Sequence, residues 1–132
     1  MADFTLFEKT MKIDLERYTI GQEIGRDDFA LIYQGRSLAD NDMVAIKFIL
    51  PHLTFDTHFA DQFWDNSQRN MQLDHPNIIH TYDIQQEGDT LYMVQEWVEA
   101  RPLVEVMESD GAFSPKRMLK ITRQIATALD CL

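Results

Sequence analysis

The sequence predicts an α+β fold: a five-stranded antiparallel sheet with one packed helix, followed by two C-terminal helices. Three observations predict it. Apolar, β-branched runs over 18–25, 30–36 and 43–50 are separated by short polar turns, the pattern of a meander. A second pair of such runs, 78–86 and 90–98, flanks Glu87-Gly88-Asp89, strong hairpin chemistry. Helical periodicity occupies the stretches between and after these pairs.

The elements follow in order. Phe4, Phe7 and Met11 recur at helical spacing, so 3–12 is expected to form a short amphipathic helix, either a lid on the domain's own core or a dimer contact. Residues 1–16 are an N-terminal extension. The first two strands meet at Arg26-Asp27-Asp28-Phe29, and the second and third at 38–42. Pro51 ends the third strand. Residues 56–73 carry a helix whose Phe59 and Phe63 lie apart from Gln62, Asn66 and Arg69. His75-Pro76-Asn77 stops it. After Arg101-Pro102, 103–108 forms a short helix ended by Ser109-Asp110-Gly111. Ser114 as N-cap and Pro115 at the first helical position open the last helix, 115–132. It is expected to bury Met118, Ile121, Ile125, Ala128, Leu129 and Leu132 along one stripe.

Charge narrows the partners. The formal net charge is −10, from 12 basic and 22 acidic residues. A phosphate-rich surface would be repelled, which argues against nucleic acid and against an anionic membrane. The basic residues Lys116, Arg117, Lys120 and Arg123 gather near the end. An acidic body with a basic end either associates head to tail or simply presents two solvated faces. Cys131 is the only cysteine, so no internal disulfide forms and a reducing compartment is expected. The start resembles neither a signal peptide nor an anchor, and no apolar run is long enough to span a bilayer. A cytoplasmic protein is expected. The four histidines lack zinc spacing, and no nucleophile–base motif is present.

The identity rests on one constellation. Val44-Ala45-Ile46-Lys47 puts a lysine inside an apolar strand, where it either snorkels to an edge or meets a partner. Upstream lies Ile24-Gly25-Arg26-Asp27-Asp28-Phe29-Ala30-Leu31-Ile32-Tyr33, a strand-turn-strand at the position of a glycine-rich loop. Downstream come a helix, then Leu73-Asp74-His75-Pro76-Asn77-Ile78-Ile79, then Leu91-Tyr92-Met93-Val94-Gln95-Glu96-Trp97-Val98-Glu99. In this order and spacing the chain resembles the Hanks-type serine/threonine protein kinases, in flavour the bacterial ones, over about residues 17–132.

The resemblance implies a kinase-like N-lobe over 17–99, with the hinge exit and the first two helices of the large lobe over 100–132. It implies that Lys47 contacts the nucleotide α/β-phosphates. Glu96 and Val98 would present hinge backbone groups to adenine. Ile24, Ile32, Ala45 and Gln95 would line the adenine pocket, with Gln95 as gatekeeper. His75 would belong to a structural turn.

The chain also departs from the family. The loop pattern Gly-x-Gly-x-x-Gly-x-Val is reduced here to Gly25, then Asp27, Ala30 and Ile32. A side-chain charge about 6 Å from a phosphate costs roughly 1–3 kcal/mol at an effective dielectric of about 20–40. Asp27 and Asp28 are therefore expected to weaken ATP binding. Counting back from His-Pro-Asn puts the family's lysine-pairing glutamate at Asn66, with Asp65 one residue off, about 100° around the helix. No His-Arg-Asp or Asp-Phe-Gly occurs in the sequence, and there is no set of metal ligands. By itself this chain is not expected to transfer phosphate.

Two functions from different classes follow. One is a catalytically inactive, truncated kinase-like module that binds protein or self-associates through Ile121, Ile125, Leu129 and Leu132. The other is the ATP-binding N-terminal portion of a serine/threonine protein kinase. A decoy docking on a true kinase is a third expectation.

Overall fold

The computed structural model of the chain describes residues 16–132. The helix expected over 3–12 lies outside the described residues.

Strands β1 (Tyr18–Arg26), β2 (Ala30–Ser37) and β3 (Met43–Ile49) form the antiparallel meander. β4 (Thr81–Glu87) and β5 (Thr90–Glu96) form the hairpin. Its two-residue turn is opened by Gly88 at φ 60°, a left-handed conformation that glycine adopts without steric cost. β5 inserts beside β3, so the order across the sheet is β1-β2-β3-β5-β4.

Two helices precede β4. The short α1 (Pro51–Thr54) was not anticipated; Pro51 both ends β3 and starts this turn, its fixed φ suiting either role. α2 (Thr57–Met71) is capped by Asp56, whose carboxylate accepts from the His58 and Phe59 amides at 3.1 and 3.2 Å. After the sheet come α3 (Leu103–Asp110) and α4 (Pro115–Cys131). Ser114 caps α4 through the Arg117 amide at 3.2 Å.

Two expected strands are shorter than the apolar runs. β4 begins at Thr81 rather than Ile78, because Ile78 closes a turn on the His75 carbonyl and His80 is held by Glu96. β5 ends at Glu96, where the chain leaves the sheet.

Each face of the sheet carries its own core. On one, Leu31, Tyr33, Ile46, Phe48, Tyr92 and Val94 pack together. Phe48 meets Tyr33 edge-on at 5.7 Å between centroids and Tyr92 at a tilt, also at 5.7 Å. Such pairs add about 0.5–1.5 kcal/mol each beyond area burial. The sheet curls around this face until its two edge strands approach. The Tyr18 hydroxyl on β1 donates to Asp83 Oδ2 on β4 at 3.4 Å. Burial, then the Asp83 charge, raises the Tyr18 pKa. On the opposite face, Ala30, Ile49, Ile84 and Leu91 receive Phe59, Ala60, Phe63, Trp64 and Met71 of α2, with Leu53.

The stripe on α4 corrects the sequence expectation. No residue of α4 is fully buried. Met118, Ile125, Leu129 and Leu132 are exposed, and Ile121 and Ala128 are only half-buried. The helix touches the lobe along one flank, where Asn77 Nδ2 donates to the Gln124 carbonyl at 3.2 Å and to Thr127 Oγ1 at 3.1 Å. That contact borders the apolar stripe, leaving Ile121 and Ala128 partly covered and Met118, Ile125, Leu129 and Leu132 open.

Gly35 on β2 is fixed by packing. A Cβ there would lie 2.5 Å from Ile46 Cδ1 and 2.8 Å from the Thr19 carbonyl oxygen, and the latter is backbone that cannot turn aside. Gly35→Ala is expected to destabilise the chain by about 1–3 kcal/mol and to lower the thermal midpoint by roughly 5–10 °C. Circular dichroism melts check this, and an unchanged midpoint would remove the close approach of β1 and β2 from the account.

Candidate functional site

The site is set by strand register. Ile32 pairs with Lys47, and Lys47 with Met93. Ala45 pairs with Gln34 on one side and Gln95 on the other. Side chains of directly paired residues share a face, and residues two apart along a strand do as well. Ile32, Ala45, Lys47 and Gln95 therefore stand on one face of the sheet, the face that also carries α2. Gly25 pairs with Ile32 at the edge of this patch. Ile24 on the same strand is exposed.

Lys47 is half-buried and does not snorkel to an edge. Its ammonium lies 3.3 Å from Asp27 Oδ2, with the lysine side chain 28% and the aspartate side chain 42% exposed. Asp27 comes from the β1–β2 turn, where its other oxygen, Oδ1, accepts from the Phe29 amide at 2.8 Å and the Ala30 amide at 2.9 Å. The turn closes with the Asp27 amide donating to the Ala30 carbonyl at 3.0 Å. Two further contacts hold it over the lysine. The Leu50 amide donates to the Phe29 carbonyl at 2.8 Å. The Phe29 ring stacks on Phe59 of α2 at 5.9 Å, which in turn stacks on Phe63 at 6.3 Å.

Asn66 of α2 lines the same cavity as Lys47, about 250 Å³ in volume, together with Phe29 and Gln62. No ion pair joins Lys47 to Asp65 among the described residues, and Asp65 is exposed. Ser67 is the position that α2 buries, its hydroxyl donating to the Phe63 carbonyl at 2.7 Å. The partner of Lys47 is Asp27, which sequence reasoning had treated only as a repelling charge. Short side chains that accept from their own turn amides are a general signal, and Asp27 two residues before Phe29 fits it.

The hinge residues are tied to the lobe. The Glu96 amide donates to the His80 carbonyl, and Glu96 Oε1 accepts from the His80 amide, both at 2.9 Å. Gln95 Nε2 donates to the buried Thr81 hydroxyl at 3.4 Å. Val98 is exposed just beyond the sheet. His75 accepts from the Asn77 amide through Nδ1 at 3.1 Å, a turn contact.

Partial burial alone would raise the Asp27 pKa. The Phe29 amide, the Lys47 charge and hydrogen bond, and the Ala30 amide outweigh it and bring the carboxyl below its ordinary value of 3.8. A folded pKa below the unfolded one means stability present above the unfolded pKa and lost as pH falls through the folded one. Both side chains are partly solvated, so the pair contributes only about 0.2–1 kcal/mol. The thermal midpoint of the wild type should therefore exceed that of Asp27→Asn by up to a few degrees at pH 6 and converge with it as the pH falls below the ordinary carboxylate range. A gap that persists in acid would contradict the pairing.

Comparison with known proteins agrees with this geometry. The family model for the protein kinase domain matches residues 18–132. The chain is 35% identical over 113 residues to serine/threonine-protein kinase PrkC of Bacillus subtilis, covering 86% of this chain and 17% of that protein. It is 28% identical over 119 residues to serine/threonine-protein kinase PknB of Mycolicibacterium smegmatis, covering 87% of this chain and 19% of that protein. The chain thus spans less than a fifth of the length of these relatives. A five-stranded antiparallel sheet with α2 on one face, a lysine on β3 facing that helix and the matched family model together establish that this chain belongs to the protein kinase family, as a Hanks-type kinase fragment containing the N-lobe.

Proposed function

We propose that this chain is the nucleotide-binding lobe of a serine/threonine protein kinase of bacterial type. The observation that carries this is the shared sheet face. Ile32 and Ala45 supply an apolar floor for a base, and Lys47 supplies a cation at the far side of the same face. Gln95 closes the patch toward β4. Gly25 supports the same assignment. Neither a positive φ nor packing requires glycine there, since a Cβ would meet nothing within 4 Å. An open backbone at the rim leaves room for a ligand to approach.

ATP is the cofactor this face would take, bound weakly. Lys47 would contact its phosphates, Ile32 and Ala45 its base, and the Val98 region its edge. When bound, the nucleotide would supply a transferable phosphoryl group. The residues of this chain would bind and orient, and no cluster among the described residues is grouped to hold a metal ion. Asn66 can hydrogen-bond an ammonium but cannot neutralise it. Among the described residues Lys47 has Asp27 as its anion, and the chain alone should be catalytically inactive.

A protein-interaction role is favoured by a separate observation. Met118, Ile125, Leu129 and Leu132 are each about half exposed or more. Burying such side chains yields roughly 1.5–3 kcal/mol each. An unpartnered apolar helix face of this kind is a protein contact, and a second copy of the chain is one available partner.

Two results are expected. Millimolar ATP should raise the thermal midpoint by about 1–3 °C, and Lys47→Ala should abolish the shift; no shift in the wild type would sink the nucleotide assignment. In light scattering at micromolar concentration the chain should exceed monomer mass, and the double substitution Ile125→Glu, Leu129→Glu should return it to monomer. A wild type that is already a soluble monomer would dispose of self-association.

A further inference from the structure

Asp27 does more than repel a phosphate. One carboxylate gathers the donors that the lobe can offer an anion at this place: the amides of Phe29 and Ala30 at 2.8 and 2.9 Å, and the ammonium of Lys47 at 3.3 Å. Backbone amides of a tight turn together with a lysine make a phosphate-type anion site. The two carboxylate oxygens divide this set, Oδ1 to the turn and Oδ2 to the lysine. The Phe29–Phe59 stack and the Leu50 amide hold the turn in place, so the carboxylate is delivered at high effective concentration.

We propose that Asp27 is a built-in phosphate surrogate: it fills the anion position between the β1–β2 turn and the β3 lysine, and a phosphate-chain ligand must displace it from Lys47 to bind. This rests on the nucleotide assignment above only in naming ATP as the natural displacing ligand; the occupied anion position stands on geometry alone. A ligand that binds only the displaced state has its apparent affinity lowered by the fraction of time that Lys47 is released. The β1–β2 turn thereby sets the threshold concentration at which this lobe responds to a polyphosphate. Asp28, in the same turn, carries the same charge but forms no ion pair with Lys47 among the described residues.

Pyrophosphate is the probe, because it needs the anion position and no base pocket. Calorimetric titration compares wild type, Asp27→Asn, Asp27→Gly and Asp28→Asn. Asparagine keeps an oxygen for the Phe29 and Ala30 amides while releasing Lys47, so the turn is retained. Asp27→Asn is expected to bind pyrophosphate about two- to sixfold more tightly than wild type, the factor that a partly solvated pair allows. Asp27→Gly should show a gain in the same direction, Asp28→Asn should give a clearly smaller change than Asp27→Asn, and adding Lys47→Met to Asp27→Asn should erase the gain. Circular dichroism melts establish that each variant is folded, and the glycine variant decides the matter if the asparagine one is not. No gain in either Asp27 variant, or an equal gain from Asp28→Asn, overturns the surrogate. Adenosine, which carries no phosphate, separates the two claims. Adenosine binding without a pyrophosphate gain leaves the nucleotide assignment standing and the surrogate refuted; a pyrophosphate gain without adenosine or ATP binding does the reverse.

Discussion

A lysine inside an apolar strand must find an anion or stay wet, and the arrangement of this lobe around Lys47 follows from that constraint. Isolated burial of an ammonium is costly, and half-burial without a partner is still unfavourable. Here the anion arrives from the β1–β2 turn. The turn reaches the lysine because β2 pairs with β3 in the register that sets Ile32 beside Lys47. It stays there because Phe29 stacks on α2 and the Phe29 carbonyl accepts from Leu50. Sheet register, turn chemistry and helix packing therefore converge on one contact of 3.3 Å.

The two faces of the sheet divide the remaining work. One face is enclosed by the sheet's own curl, with Phe48 at its centre and the Tyr18–Asp83 contact joining the edge strands. That face is structural. The second face carries α2 and the lysine, and it stays partly open because Asn66 and Gln62 leave a cavity there. α4 stands outside this division. Held to the lobe through Asn77, it contributes little to either core and presents apolar side chains outward.

The element order was legible in the sequence because each signal is local. Alternating apolar runs, the Gly88 turn, the Ser114 cap and Pro115 act within a few residues of where they stand. The place of Lys47 on the third strand was legible too, through motif order. The ends of β4 and β5 were not, because His80 and Glu96 satisfy each other across the two strands and so override the apolar pattern of 78–80. The stripe on α4 was legible as a stripe, yet periodicity says only that one face is apolar. It does not say whether anything covers that face.

The sequence by itself determined the strand order, the helices apart from the short α1, the family and the loss of two loop glycines, since these are written in residue types and short spacings. Tertiary structure alone decided what the loop aspartate does. From charge, Asp27 and Asp28 are equivalent, both hostile to phosphate. Only the folded turn separates them, because the direction of a carboxylate depends on backbone angles and on a lysine twenty residues away in the chain. The Coulomb energy that ties one of them to Lys47 is a function of distance, and that distance exists only once β2 and β3 have paired.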